Sequence, residues 1–120
     1  LEGLASGPAL AERWGRPSED LDADTGRAIE FESHSLGHAM ANLVLTVSPE
    51  RIILGGGVMK MAGLLDAARE QMIDSLGGYV QAPVLDSGGE SFLVAPDLGD
   101  RSGIAGGLVL AERAVSGLIR

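Results

Sequence analysis

The stretch Pro49-Glu50-Arg51-Ile52-Ile53-Leu54-Gly55-Gly56-Gly57-Val58-Met59 decides how this chain is read. The apolar, β-branched run from Arg51 to Leu54 predicts a buried strand. It leads straight into three glycines, Gly55 to Gly57, and apolar residues at helical spacing follow from Met61. A strand, a bare loop and a helix make an α/β unit, and a ligand can approach a loop that has no side chains. The turn from a strand into a helix N-terminus is also where phosphate-bearing ligands tend to bind. The same glycines serve a second purpose equally well, a tight turn that lets the helix pack closely on the strand.

Working outward, Ile29, Leu36, Met40, Leu43 and Val47 fall at helical spacing and predict a long helix from Arg27 to Val47. Ser48-Pro49 stops it, because the residue before a proline disfavours helical geometry. Beyond the glycines, Met61, Leu65, Ala68, Met72 and Leu76 predict a second helix, with Gly77-Gly78 as its cap. The segment from Tyr79 to Gly89 reads as irregular, Ser91 to Pro96 as a second strand, and Asp97 to Gly103 as a turn. A last helix is expected from Ser102 to Leu118, with Ile104, Leu108, Ala111 and Val115 facing inward. Near the start, Ser6-Gly7-Pro8 opens a short helix that runs to Trp14 and ends at Gly15-Arg16-Pro17. Ser18 to Gly26 follows as an acidic connector bearing Glu19, Asp20, Asp22 and Asp24, read as a solvated loop. Helix, strand, helix, strand, helix is half of a layered α/β domain. Two strands make a poor parallel sheet, so further strands are expected from elsewhere.

Composition narrows the function classes. A chain of 120 residues is one domain at most. Hydrophobic content of 45% and a mean hydropathy of +0.19 predict a globular chain. Only 3% of residues are aromatic, so the core has to be built from Leu, Ile, Val, Ala and Met. The net charge of −8 repels nucleic acid and anionic membranes. A nucleotide would therefore be held by backbone N–H groups, a helix dipole or a metal rather than by a basic patch. With no cysteine the chain forms neither a disulfide nor a thiolate metal site. No apolar run reaches the length of a membrane span and no signal segment opens the chain, which sets a cytoplasmic location as the expectation. Leu1-Glu2-Gly3-Leu4 reads as the middle of something, either a trimmed start or a piece of a longer protein.

Few side chains suggest chemistry by themselves. His34 and His38 lie one helical turn apart on one face, the spacing of a two-histidine metal site, but no completing ligand stands nearby. Exposed or hydrogen-bonded helix histidines are the plainer reading. Glu30 and Glu32 read as a solvated first turn that suits the helix dipole. Gly7-Pro8 begins a helix whose free N–H groups could also wall a nucleotide. Glu2 could accept hydrogen bonds from sugar hydroxyls, as carboxylates commonly do. Lys60 is the only lysine, and no phosphate-clamping motif, paired nucleophile or general base is present. The chain reads as a binding half-site without a catalytic centre.

Two segments carry a family resemblance. Leu1-Glu2-Gly3-Leu4-Ala5-Ser6-Gly7-Pro8-Ala9-Leu10 and Ser48 to Met59 resemble the C-terminal part of ROK-family sugar kinases, above all the bacterial fructokinase branch. Leu98-Gly99-Asp100-Arg101-Ser102-Gly103-Ile104-Ala105-Gly106-Gly107-Leu108 resembles the family's closing turn and helix. The resemblance implies an α/β fold of the actin and hexokinase (ribonuclease H-like) type, with ATP between two domains. It makes residues 1–120 the nucleotide-side C-terminal segment, with the N-terminal domain outside this chain. It implies that Gly55, Gly56, Gly57, Val58 and Met59 form the adenosine-side loop, that Pro8 borders the nucleotide, and that Glu2 holds sugar hydroxyls. It further implies ATP and Mg²⁺ as cofactors, a sugar as substrate, a homodimer for the intact protein, and no nucleic-acid or membrane partner. In the fructokinase branch the glutamate follows the last cysteine of a structural Zn²⁺ site, whose ligands would precede this chain.

The departures matter as much. The family's Asp-x-Gly-x-Thr phosphate segment and the Asn-Asp motif that carries the general base are both missing from these residues. No catalytic residue is therefore expected within the chain, and the segment alone is expected to be inactive. Arg101-Ser102 stands where Asn-Ala is frequent, and His38 where glutamine is frequent. Two other readings remain open. A sugar-responsive ROK repressor shares this half of the fold and adds a helix-turn-helix upstream. An oligomerisation surface would use Leu36, Met40 and Leu43 as an uncovered helix face. Within the hexoses, fructose is the expected substrate, with glucose or mannose as the other possibilities.

Overall fold

The computed structural model describes residues 2–17, 20–21 and 25–117. Of the acidic connector, Ser18, Glu19, Asp22 and Asp24 lie outside the described residues, as do Leu1 and Leu118 and the side chain of Glu2. A one-turn helix α1 (Glu2–Ala5) leads into α2 (Gly7–Trp14). Ser6 caps α2 by accepting a hydrogen bond from the Ala9 amide at 3.3 Å, and proline sits in its first turn. Gly15 closes the helix in the left-handed conformation at φ 70°.

The long helix α3 (Thr25–Val47) ends at Ser48, a non-glycine residue at φ 46° just before Pro49. Strand β1 (Ile52–Ile53) follows, then a 3-10 turn over Gly57–Lys60, and then α4 (Leu64–Leu76). Helix α4 stops on Gly77 at φ 54°, where the cap was expected. A short α5 (Pro83–Asp86) occupies part of the segment read as irregular. Strand β2 (Leu93–Val94) and helix α6 (Ser102–Val115) complete the order.

β1 and β2 pair in parallel, with Ile52 opposite Leu93 and Ile53 opposite Val94. Backbone bonds from the Ile52 amide to the Phe92 carbonyl and from the Leu54 amide to the Val94 carbonyl, both 2.8 Å, extend the ladder at each end. Both strands are shorter than the apolar runs that predict them. Leu93 is wholly buried, but Ile53 is 65% exposed, so β1 is not the fully buried strand expected from its sequence.

The core lies between α3 and α4. Ala28, Glu32, Leu36, Met40 and Val44 are the buried ridge of α3, each four residues after the last. Across from it Leu64, Ala68, Met72 and Leu76 are buried on α4. The predicted α3 stripe is thus corrected: Leu43 and Val47 are exposed, because packing selects the ridge spaced by four rather than the heptad-like row. Leu36 and Met40 are covered by this packing, so the surface proposed for oligomerisation is not free. Gly37 lets the helices touch: a Cβ there would lie 2.8 Å from the Met72 amide nitrogen. That approach excludes a side chain.

Helix α6 is different. None of its residues is buried, and Ile104, Leu108 and Val115, expected to face inward, are 71%, 67% and 90% exposed. Its amphipathic spacing is real, but among the described residues no helix or strand packs extensively against it beyond the one-turn segment that introduces it. The radius of gyration of 16.4 Å exceeds the roughly 13.6 Å of a compact chain of this length. No helix among the described residues is long and apolar enough to cross a membrane.

Candidate functional site

The glycine loop separates two clefts. The first, about 420 Å³, is bounded on one side by Ala5, Ser6 and Gly7 and on the other by Leu54 to Met59, with Leu36 of α3 between them. The fold therefore brings the start of α2 to the glycine loop, more than forty positions away in the chain. Pro8 is exposed one residue beyond this wall and is not among the residues that line it. Ser6 and Gly7 line it directly; the sequence marked Gly7, together with Pro8, as a helix start able to wall a nucleotide, and Ser6 only as a helix start.

The three glycines have different reasons to be glycine. A Cβ at Gly55 would meet the Pro96 ring at 3.1 Å, so that position is set by close packing of the loop on the segment after β2. Gly56 has φ +111°, a backbone conformation that side chains rarely tolerate. Gly57 has neither constraint: its φ is ordinary and a Cβ would meet nothing within 4 Å. Only Gly57 thus lacks an internal reason for its missing side chain. Val58 and Met59 both line the cleft, the first buried and the second half-buried.

The second cleft, about 430 Å³, lies on the other side of the same loop and reaches Lys60, Pro96, Asp100 and Ser102. Lys60 Nζ donates to Asp100 Oδ2 at 2.9 Å, with both side chains exposed. An exposed pair of this kind contributes little stability, about 0.5 kcal/mol. Its effect is to tie the 3-10 turn after the glycines to the turn before α6.

A network under the α1–α2 wall was not expected. Glu32, read from sequence as a solvated helix residue, is completely buried and paired with Arg13 of α2 at 2.5 Å. Burial pushes its carboxyl above the ordinary glutamate value, and the charge and hydrogen bond of Arg13 pull it partly back. The sequence offered no signal for this pair, because residues 13 and 32 meet only once α2 folds against α3.

His34 and His38 are exposed on α3, their ring centroids 4.3 Å apart. His38 Nδ1 lies 2.9 Å from the His34 carbonyl, which fits an N–H donor there. No three His, Asp or Glu residues among those described gather as a metal site. The Glu2 backbone begins α1, so it lies one turn before Ser6 and Gly7.

Residues 1–114 match the ROK family. This chain belongs to it. The ROK-family chain is 39% identical over 115 residues to a fructokinase of Pediococcus pentosaceus, covering 96% of this chain and 38% of that protein. It is 37% identical over 114 residues to a fructokinase of Zymomonas mobilis, covering 94% of this chain and 36% of that one. A fructokinase of Lactococcus lactis is 37% identical over 83 residues, 69% of this chain. The ROK-family chain spans less than two fifths of the length of these relatives.

The cleft's chemistry can be set against the cofactors that the family implies. Its walls are backbone and aliphatic carbon, and its one hydroxyl, on Ser6, already accepts the Ala9 amide. That suits the flat, weakly charged adenosine end of a nucleotide. No cation or carboxylate lines it, so these residues supply no charged side chain for a triphosphate and no carboxylate ligand for a magnesium ion.

Proposed function

We propose that this chain is the nucleotide-side C-terminal segment of a two-domain, ATP-dependent sugar kinase that phosphorylates a hexose, with fructose to fructose 6-phosphate as the preferred reaction. The observation that carries the reading is Gly57, bare without any packing or backbone reason, on the wall of a cleft that faces the start of α2. Family membership and the fructokinase relatives support the same class.

In this reading the cleft seats adenosine between Gly57 and the Ser6–Gly7 wall, and Pro8 borders it. Exclusion of water by Leu36, Leu54 and Met59 fixes the base, while loop N–H groups supply polar contacts. Glu2, one turn earlier, accepts hydrogen bonds from sugar hydroxyls and so orients the acceptor. The sugar oxygen attacks the γ-phosphorus, the bond to the β–γ bridging oxygen breaks, and ADP leaves. The base that takes the hydroxyl proton and the groups that hold the phosphates and Mg²⁺ belong to the preceding part of the protein. This segment contributes binding and no catalytic residue, and alone it is inactive.

The test is ADP release by the full-length protein with ATP, Mg²⁺ and fructose, glucose or mannose. Fructose-dependent turnover is expected; turnover with another hexose moves the substrate and keeps the class. No turnover with any sugar, in a folded protein, overturns the kinase reading and favours a sugar-responsive repressor. Gly57→Ala sharpens the result, because its methyl has open space and an ordinary φ and leaves folding intact. It should raise KM for ATP about ten-fold with little change in KM for sugar. An unchanged KM for ATP would remove Gly57 from the site. Gly56→Val is the harsher variant and should abolish ATP use, but φ +111° means that it also strains the loop.

A further inference from the structure

Arg13 stands where three elements meet. Its Nη1 donates to the Leu4 carbonyl at the end of α1, at 3.2 Å, and to Glu32 Oε1 on α3, at 2.5 Å. Its guanidinium carbon sits 4.0 Å from the centroid of the Phe31 ring. Two hydrogen bonds and a stacked ring define both the place and the tilt of a planar guanidinium. The first contact satisfies a carbonyl that a helix end leaves without an intrahelical partner.

The partner is an expensive one to bury. Glu32 is 0% exposed and its second oxygen, Oε2, has no hydrogen-bond partner among the described residues. A well-packed apolar pair would commonly serve stability as well or better than a buried ion pair. What a charged pair adds is direction. The elements joined are the ones that form the cleft: α1 and α2 supply Ala5, Ser6 and Gly7, and α3 supplies Leu36 one turn after Glu32. Leu4, which accepts from Arg13, immediately precedes that wall.

We propose that Arg13 is a positioning residue, which through Leu4 and Glu32 sets the distance of the α1–α2 wall from the glycine loop and so the fit of the nucleotide. The inference rests on the kinase reading given above. It touches neither substrate and acts through backbone placement, where small misplacements have large kinetic consequences.

The experiment measures kcat, KM for ATP, KM for sugar and thermal midpoint in the full-length kinase. Arg13→Met keeps length and packing on Phe31 but loses the charge and both donors. It should raise KM for ATP about ten-fold and lower the thermal midpoint, since Glu32 is then buried without a partner. Arg13→Lys should recover part of the KM, because it restores a donor and the charge without the planar fork. The decisive protein is Arg13→Met/Glu32→Leu, which removes the buried charge. Its midpoint should return to the wild-type value while KM for ATP stays raised. If midpoint and KM recover together, or if Arg13→Met leaves KM for ATP unchanged, Arg13 is structural only and the proposal is overturned. If wild-type protein turns over no hexose, the kinase reading fails and this inference falls with it. Should Arg13→Met not fold, the double variant decides alone.

Discussion

The seam between α3 and α4 and the helix α6 are written in similar residues and end in opposite surroundings. Both have aliphatic side chains at helical spacing, and both carry glycine within a helix. In the seam, Leu36, Met40, Leu64 and Met72 are buried and Gly37 brings two backbones together. In α6, Ile104 and Leu108 face solvent, and Gly103, Gly106 and Gly107 have nothing within 4 Å of an added Cβ. An apolar stripe states that a helix needs a partner; it does not say which. The difference is therefore one of tertiary pairing, not of helix propensity.

The largest break in this comparison should come from Gly37→Ala. The new Cβ would approach Gln71 and Met72 backbone atoms at 2.8 Å, so the helices must separate. We expect a loss of about 2–3 kcal/mol in urea denaturation. A loss under about 0.5 kcal/mol would mean that the seam is not closed at this point.

A middle-sized effect should come from the buried end of the same ridge. Burial raises the Glu32 pKa, so the folded chain holds that proton more tightly than the unfolded chain does. The stability that protonation brings is complete below the ordinary value of 4.5 and is lost as pH rises through the folded value. Wild-type urea midpoints should thus fall with rising pH across that window by more than those of Glu32→Gln. Parallel profiles would show that Arg13 fully offsets burial.

The smallest effect belongs to α6. Leu108 is 67% exposed, and Leu108→Gln should change the stability of this chain by less than about 0.5 kcal/mol. A loss of 2 kcal/mol or more, on the order of a core truncation, would mean that α6 packs against the core in solution.

Much of the candidate site was legible because its signals are local. Ser6 and Pro8 start a helix, Gly15 and Gly77 end helices, and an Ile-rich run before Gly55 to Gly57 makes a strand and a bare loop. Each depends on φ preferences or hydrogen bonds within a few residues. The α3 stripe was misread because rows of residues three and four apart compete on one helix, and contact with α4 chooses between them. The cleft was half legible: the loop stood out, but Ser6, Gly7 and Leu36 became its opposite wall only through folding.

By itself the sequence determined the main helices, the place of the two strands, the family and the bare glycine loop. These are matters of residue type and near-neighbour geometry. Tertiary structure alone decided that Glu32 would be buried against Arg13, that Gly57 would face a cleft while Gly55 packs on Pro96, and that α6 would remain uncovered. Burial and charge pairing are properties of what arrives from far along the chain, and no local pattern encodes the arrival.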